Sequence, residues 1–480
     1  MANRKQRLSA LCITLVMLFS ILSLPVSAAH ATDVEWSGTF TGTNNNTVTT
    51  AALPSESGKT GLAWSSEVGN NTVVIVEDAI YTYDGVKPYQ GYDAGGTFYK
   101  IDKDTGEVLK TLECAVSTDF YYSYSIYADG LIYVGCPTTV MAFDPDTFTM
   151  KWSTTVTTRI YSTLQYVNGC IVTNGTVLDA QTGAKIAELT GEWSGGWSNG
   201  AEVGGYFYVA DATESVYAFD TTTWKAKNIL TTGLSVSATC PGVMYDNGSL
   251  YWGGVSGNAY CVKVSDGAFV SEKQTVNCGI KCYSAPVAAN GRVYLAGMED
   301  NTASTNTGAI SICVFDAATM ELLYTACGDE TGKIQSTPVL CRVSSDEVRV
   351  YVQGYQKPGN IYYLADTTAQ NGGSLTLLLA PEQSQYAWEQ IACDSDGAIY
   401  CSNDAGYLMK YQSKKAPVTV TGGDVNGDGK VNIRDAVTLS RYFADWDVTV
   451  VEENSDLNGD GICDTRDLVM LRRYLAGWYD

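Results

Sequence analysis

The 480-residue sequence predicts an all-β propeller followed by a small α-helical module. Three observations lead to this fold class. A short β-rich strand pattern recurs between residues 61 and 412 at intervals of 36 to 57 residues, a spacing typical of propeller blades. A strand pattern that begins at residue 64 matches the final strand of the second repeat, and the last repeat lacks such a strand. Two acidic twelve-residue segments after residue 423 are each followed by an amphipathic helical pattern.

The first 31 residues match a secretory signal peptide. Three basic residues precede an apolar run over residues 8–24, and small residues follow up to Ala31, where we expect cleavage. An uncleaved membrane anchor is the alternative, because the run is nearly long enough to span a bilayer. The helix-breaking Pro25 favours cleavage. We therefore expect a secreted protein that has no membrane association after cleavage.

The composition argues against several classes of function. A formal net charge of −22 disfavours nucleic acid and anionic membranes as partners. The only histidine, His30, lies beside the expected cleavage site, so the mature protein would have none for catalytic triads or metal binding. The fourteen cysteines form no C-x-x-C or C-x-x-C-H motif, which argues against zinc ribbons and c-type haem.

Each repeat between residues 61 and 412 contains a short strand that ends in an aromatic residue or valine. Asn-Gly or Asp-Gly pairs, such as Asn168-Gly169, precede five of these strands and supply the positive φ values of tight hairpins. The count favours eight blades, and seven is the alternative if the irregular third repeat is not a full blade. The strand-ending residues are Tyr81, Tyr133, Val172, Tyr208, Tyr251, Tyr294, Tyr351 and Tyr400.

An Asp-x-x-Thr signature occupies equivalent places in five repeats. An Asp side chain can accept hydrogen bonds from the backbone two or three residues further on and so close a turn. We therefore expect these residues to be structural. The aspartates are Asp102, Asp144, Asp179, Asp220 and Asp316.

The ends of the repeat region predict how the ring closes. Residues 64–68 resemble residues 152–156, which end the second repeat, whereas the last repeat stops without such a strand. We expect the N-terminal strand to complete the last blade, which removes an exposed sheet edge. Residues 32–60, rich in Thr, Asn and Ser, are predicted to be a loosely ordered lead-in, and residues 413–423 a polar linker.

The rhythm of Ile-Tyr pairs followed by Asp-x-x-Thr-Gly over residues 61–412 resembles the PQQ-like, or quinoprotein-type, propeller repeats. This resemblance implies the propeller fold. Dehydrogenases of that superfamily often have adjacent cysteines and sometimes haem, and this sequence has neither an adjacent cysteine pair nor a haem motif. The chain therefore resembles the non-catalytic branch, and we expect no PQQ and no haem.

Two segments have the register of calcium-binding loops, namely loop 1 (residues 424–435) and loop 2 (residues 456–467). Oxygen-bearing side chains stand at loop positions 1, 3, 5, 9 and 12, and glycine stands at position 6. Converging oxygens and a sharp turn are what a hard cation such as Ca²⁺ requires, so we predict two Ca²⁺ ions. The predicted ligands are Asp424, Asn426, Asp428, the Lys430 carbonyl, Asn432 and Asp435, and in loop 2 Asp456, Asn458, Asp460, the Ile462 carbonyl, Asp464 and Asp467.

Two loop–helix halves without entering helices, over residues 424–480, resemble a type I dockerin, the EF-hand-like module that binds cohesin domains of cellulosome-type scaffolds. The resemblance implies calcium-dependent cohesin binding and a cell-surface location through a scaffold. Residues at loop positions 10 and 11 differ from the small hydroxyl pairs of the best-known dockerins, which leaves the cohesin class open. A solvated helix face is the alternative role. The residues implied to face cohesin are Ile433, Arg434, Arg441, Thr465, Arg466 and Arg473.

Aligning the repeats predicts a ring of side chains near one mouth of the central channel. Aromatic faces can stack on sugar rings, and amides or carboxylates can bond hydroxyl groups, so a glycan is a candidate ligand. The alternative is that the aromatic residues wedge between blades. The possible ligand-binding residues are Tyr122, Tyr161, Trp197, Tyr283, Gln335 and Glu389.

Two functional classes stay open for the propeller. The first is a non-catalytic domain that binds glycan or protein during degradation of plant polysaccharide. The second is a carbohydrate-active enzyme, either an O-glycosyl hydrolase or a polysaccharide lyase. Glycosidases use two carboxyl groups, and Glu389 is the one acid in the predicted ring and the one catalytic candidate. Binding is therefore favoured over catalysis.

Overall fold

The chain divides into two compact units, Met1–Gln412 and Ser413–Asp480. The computed structural model describes residues 34–38, 44–69, 72–84, 96–114, 124–136, 138–157, 160, 164–189, 199–234, 242–299, 308–414, 422–457 and 461–476.

Within the described residues, the first unit contains eight sheets, one for each blade of an eight-bladed propeller. Three strands precede the repeats: β1 (Val34–Trp36), β2 (Val48–Thr49) and β3 (Thr60–Glu67). Blade 1 contains β4 (Val74–Val76), β5 (Ala79–Asp84), β6 (Gly96–Asp102) and β7 (Val108–Cys114); blade 2 contains β8 (Tyr124–Ala128), β9 (Leu131–Cys136), β10 (Thr139–Asp144) and β11 (Thr149–Thr155). Blade 3 contains β12 (Gln165–Val167), β13 (Cys170–Val172), β14 (Thr176–Asp179) and β15 (Lys185–Glu188); blade 4 contains β16 (Ala201–Val203), β17 (Tyr206–Ala210), β18 (Val216–Asp220) and β19 (Lys225–Leu230).

The second half of the ring follows the same pattern. Blade 5 contains β20 (Met244–Asp246), β21 (Ser249–Gly253), β22 (Asn258–Ser265), β23 (Ala268–Phe269) and β24 (Gln274–Asn277); blade 6 contains β25 (Ile280–Cys282), β26 (Val287–Ala289), β27 (Arg292–Glu299), β28 (Ala309–Asp316) and β29 (Leu322–Thr331). Blade 7 contains β30 (Val339–Arg342), β31 (Glu347–Gln353), β32 (Ile361–Thr367) and β33 (Thr376–Leu379); blade 8 contains β34 (Ala392–Cys393), β35 (Ile399–Asn403) and β36 (Tyr407–Ser413). The prediction of eight blades is confirmed.

The predicted closure of the ring is also confirmed. Strand β3 is the outermost strand of blade 8 and pairs with β36. Trp64 in β3 donates its indole N–H to the Lys103 carbonyl of blade 1 at 3.1 Å. Trp152 in blade 2 donates in the same way to the Ala180 carbonyl of blade 3 at 3.0 Å. The two matching tryptophans therefore dock each outer strand onto the turn of the next blade.

The repeated signatures have the structural roles that their chemistry predicts. The eight strand-ending residues are each at most 3% exposed, so this part of the repeat forms the core between blades. The Asp316 carboxylate accepts hydrogen bonds from the backbone N–H of Ala318 and Thr319, at 3.0 and 2.8 Å. Equivalent turns form at the other four aspartates, and these bonds hold the pKa of each Asp carboxyl below its usual value.

The N-terminal lead-in differs from the expectation of loose order. Strands β1 and β2 are the innermost strands of blades 1 and 7. Asn46 exchanges two hydrogen bonds of 2.9 Å with the backbone of Ala288 in blade 6. Asn side chains can pair with exposed backbone groups as a strand does, which explains why a polar segment becomes ordered against the inner strands.

The second unit contains two helices and one helical turn in its described part. They are α1 (Ile433–Phe443), α2 (Glu452–Ser455) and α3 (Thr465–Leu475). Turn α2 directly precedes loop 2, where the sequence pattern predicted no entering helix; Glu452 and Glu453 lie in its first turn, where negative charge is favourable. The apolar faces of α1 and α3 pack together over Leu439 and Leu471. No described helix has the length and apolar character needed to cross a membrane.

Candidate functional site

Loop 1 wraps around its own carboxylates. The Asp424 side chain accepts hydrogen bonds from the backbone N–H of Asp428 at 2.9 Å and of Gly429 at 2.8 Å. Asn426 also accepts from Asp428, at 2.9 Å. Gly429 has a φ of 82°, which a side chain would strain. The side chains at positions 1 and 3 are thereby turned toward one short segment of backbone.

The last acid of each loop is buried and joins the loop to its helix. The Asp435 carboxylate accepts from the backbone N–H of Asn426 at 3.0 Å and of Asn432 at 2.8 Å. Asp467 accepts from Leu457 and Asp464 in loop 2 at 2.9 and 2.8 Å. Both acids are 0% exposed and complete capping boxes at the starts of α1 and α3. Each helix is therefore fixed to its loop by the residue predicted as the position-12 ligand.

The donor set of loop 1 fits a hard cation. No group of three His, Cys, Asp or Glu side chains that could hold a metal occurs among the described residues. Ion binding therefore requires the acids to close around the ion together with Asn426 and backbone carbonyl oxygens, as oxygen-rich calcium loops do. Of the predicted loop 2 ligands, Asn458 and Asp460 lie outside the described residues.

The residues implied to face cohesin are all exposed, and Arg466 and Arg441 make local contacts. Arg466 donates from Nε and Nη2 to the Asp464 carboxylate at 2.7 to 3.1 Å, and this contact lowers the pKa of Asp464. Ile433 at the start of α1 is 65% exposed. The sequence analysis missed Trp446, which is 61% exposed, lies 5.2 Å from the Arg441 guanidinium, and lines a cavity of about 320 Å³ with Ile433.

A second candidate site, the channel-mouth site, lies in the propeller. It consists of Tyr283, Lys333, Tyr355, Tyr386, Trp388, Glu389 and Asp404. Four of these residues precede inner strands β30 and β34, and Tyr283 precedes β26. Tyr355 and Asp404 follow the second strands β31 and β35. In antiparallel neighbours, the end of the second strand lies beside the start of the first, so these segments meet at one end of the blades.

Aromatic contacts join the members of the channel-mouth site. Tyr355 lies with its ring centroid 5.4 Å from Tyr386 and 5.7 Å from Trp388. The Lys333 ammonium lies 4.7 Å from the Tyr355 centroid and 5.0 Å from that of Tyr283. Backbone hydrogen bonds hold the segments in register, since Tyr355 donates to the Lys333 carbonyl and Ala387 donates to the Tyr355 carbonyl. Tyr386 is 40% exposed, so the aromatic surface is accessible.

Burial raises the pKa values of two carboxyl groups of the site. Glu389 is 4% exposed, and burial, with the nearby charge of Asp404, raises its pKa to about 8. Burial raises the pKa of Asp404 to about 6, opposed by the Trp388 indole N–H that donates to it at 2.8 Å. Among the described residues, Glu389 has no hydrogen-bond or ion-pair partner. Burial and the charge of Glu389 raise the pKa of Tyr124 in blade 2, which places this phenol near the acid.

The structure describes half of the predicted ring. Tyr283, Gln335 and Glu389 all precede inner strands, and the Gln335 Oε1 atom is buried without a partner among the described residues. Tyr122, Tyr161 and Trp197 lie outside the described residues. Ligand binding by all six stays a prediction.

Lys333, Tyr355 and Asp404 were missed by the sequence reasoning. The repeats were compared at a single position, a fixed number of residues before each strand-ending residue. That position lies just before the inner strand. Tyr355 and Asp404 instead follow second strands. An alignment that also sampled the residues after the second strand could have found both.

The second unit belongs to a known domain class. Residues 422–476 match the family model described as dockerin type I domain, so this part of the chain is a type I dockerin. Dockerin domains bind calcium and cohesin, and proteins that contain them are typically secreted and attached to scaffolds. A comparison with curated protein sequences gave no match.

The propeller has the PQQ-type eight-bladed fold. The chain is similar to BamB from Moraxella catarrhalis, with 11% identity, a TM-score of 0.52, and coverage of 74% of this chain and 99% of that chain. A europium-containing methanol dehydrogenase is 11% identical, with a TM-score of 0.54 and coverage of 76% of this chain and 89% of that chain. The quinohemoprotein alcohol dehydrogenase ADHIIG from Pseudomonas putida HK5 is 11% identical, with a TM-score of 0.55 and coverage of 90% of this chain and 88% of that chain. At these identities the likeness defines the fold and carries no statement about activity or cofactor.

Proposed function

We propose that this chain is a secreted component of a cellulosome-type assembly, in which the dockerin binds a scaffold cohesin and the propeller binds glycan at the channel-mouth site. The dockerin would hold two Ca²⁺ ions, one in each loop, through the oxygen ligands predicted above. Bound calcium would hold each loop closed at the start of α1 or α3, whose exposed faces would contact the cohesin. The scaffold would then bring the propeller to plant polysaccharide.

The observation that carries the glycan proposal is the accessible aromatic surface beside a buried acid. Tyr355, Tyr386 and Trp388 form one continuous group of rings. Aromatic faces can stack on the apolar faces of sugars, while Asp404 and the protonated Glu389 can bond hydroxyl groups. A mostly apolar surface with a few fixed polar groups is typical of small-ligand sites.

Glycan binding by the mature full-length chain can be measured on an array of plant polysaccharides and oligosaccharides in calcium-containing buffer. We expect binding to a subset of the glycans. Absence of binding to every glycan would contradict the proposed role of the propeller without affecting the dockerin.

A second candidate function is carbohydrate cleavage with carboxylate catalysis, and the paired acids favour it. Glu389 and Asp404 have pKa values raised to about 8 and about 6. Two neighbouring carboxyls of unequal pKa can serve as proton donor and as base or nucleophile. Release of reducing or unsaturated sugars that is abolished by Glu389→Gln would establish this function. Glycan binding without product release would leave the binding role alone.

A further inference from the structure

Lys333 differs from the other deeply placed lysines of the propeller. Lys103 pairs with Glu35, and Lys410 lies 3.5 Å from the Asp394 carboxylate while donating to the Lys103 carbonyl at 3.0 Å. Lys333 is half-buried between two tyrosine rings. Among the described residues, its ammonium forms neither an ion pair nor a hydrogen bond.

A cation held in this way is only partly stabilised. The tyrosine rings attract the ammonium, but a cation–π contact is weaker than the cost of removing a charge from water. Burial lowers the pKa of Lys333, and no neighbouring carboxylate offsets this effect. An anion entering the site would therefore gain a charge-assisted hydrogen bond without displacing an existing partner.

The position of Lys333 links this cation to the aromatic surface. Its ammonium lies 4.7 Å from the Tyr355 centroid, and Tyr355 also contacts Tyr386 and Trp388. A ring-shaped ligand on these aromatics would lie near Lys333, which contacts Tyr355, and near Asp404, which accepts from Trp388.

We propose that the channel-mouth site selects a sugar that carries an anionic group, a carboxylate or a sulfate, and that Lys333 binds this anion. This inference rests on the proposed glycan binding and specifies its ligand class. The net charge of −22 repels a long polyanion, so the ligand is best tested as a short oligosaccharide in buffer of moderate ionic strength.

Three oligosaccharides of equal length separate the possibilities. They are trigalacturonic acid, its carboxyl-reduced neutral counterpart, and a sulfated galactose trisaccharide. Calorimetric titration of the mature full-length chain is expected to give tighter binding for at least one anionic sugar than for the neutral one. Preference for trigalacturonic acid identifies the anion as a carboxylate, and preference for the sulfated trisaccharide identifies it as a sulfate.

The Lys333→Met variant removes the charge and keeps most of the side-chain volume. We expect a loss of about tenfold or more in affinity for the anionic sugar and little change for the neutral one. Lys333→Arg should restore most of the loss. Lys227→Met, which changes an exposed lysine whose ammonium lies 4.5 Å from the Tyr206 ring, is the matched control and should bind as the unmodified protein does.

The outcomes separate this inference from the proposed function. Equal binding of neutral and anionic sugars, unchanged in Lys333→Met, overturns the inference and leaves glycan binding intact. Binding of no sugar at all overturns both. Thermal unfolding distinguishes a structural lysine: removal of a charge without a counter-ion should leave the melting temperature unchanged or higher, whereas loss of a structural contact would lower it and weaken binding of all sugars alike.

Discussion

The calcium loops and the channel-mouth site both depend on carboxyl groups, but the surroundings of these groups differ. In loop 1, Asp424 turns toward backbone N–H groups within five residues of it. At the channel mouth, Glu389 is buried without a partner in the described part of the chain, and its pKa rises to about 8. Acids that converge within a few residues of chain suit a hard cation, whereas a buried acid with a raised pKa suits hydrogen bonding or proton transfer. The comparison shows that surroundings, and not residue type, separate the two sites.

The largest difference should appear on removal of calcium. Chelation with EGTA leaves the loop acids without a counter-ion, so we expect loss of α1 and α3 and of cohesin binding. The propeller should unfold at an unchanged temperature. Far-ultraviolet circular dichroism and a binding assay against a panel of cohesins measure both effects.

A paired variant in the loops controls for effects of the chelator. Asp424→Ala combined with Asp456→Ala should reproduce the loss of cohesin binding in the presence of calcium. Cohesin binding that persists in EGTA would contradict the assignment of the loops.

An intermediate effect is expected from Glu389→Gln. The folded pKa of about 8 exceeds the ordinary value of 4.5, so between these values the unfolded chain ionises while the folded chain keeps the proton. Propeller stability should therefore fall as pH rises through this window, by up to about 1.4 kcal/mol per pH unit, and level off above about pH 8. The variant should lack this contribution. Thermal unfolding at pH 5, 6.5 and 8 measures it.

An exposed acid provides the control for that slope. Glu321→Gln makes the same substitution at an exposed glutamate on the outer part of blade 6 and serves as the matched control. A Glu389→Gln protein whose stability follows the unmodified protein at all three pH values would show that Glu389 is not held protonated.

The smallest effect is expected at the turn aspartates, a third kind of acid. Asp316→Ala removes the acceptor for the backbone N–H groups of Ala318 and Thr319 and should cost about 1 kcal/mol. The pKa of Asp316 lies below its ordinary value of 3.8, so its contribution is present above that pH and is lost as pH falls through the folded pKa. Urea unfolding at pH 7 and pH 3 should show a larger difference between variant and parent at pH 7 than at pH 3.

The extent to which each site could be predicted follows from how local its residues are. Each loop occupies twelve consecutive residues, so spacing alone was enough to predict the metal ligands and to recognise the dockerin. Ring closure was predictable because Trp64 and Trp152 occupy matching places and make matching hydrogen bonds to the next blade. Local repetition carried this information.

The channel-mouth site was only partly predictable because its residues come from separate segments of the chain. Glu389 and Tyr283 precede inner strands and were found by alignment. Asp404 and Lys333 join them only when the blades assemble, and burial, which sets their pKa values, does not appear in sequence spacing. The order of the lead-in was missed for the same reason, since its partners lie in blades far along the chain.

Measuring glycan binding and cohesin binding for two variants tests most directly whether the protein carries a glycan site and a separate cohesin site. Tyr386→Ala should weaken glycan binding about tenfold, equivalent to about 1.4 kcal/mol, and leave cohesin binding unchanged. Trp446→Ala, which removes an aromatic side chain exposed on the dockerin, should weaken cohesin binding and leave glycan binding unchanged. If Tyr386→Ala binds every glycan as the unmodified protein does, the channel-mouth site is not the binding surface.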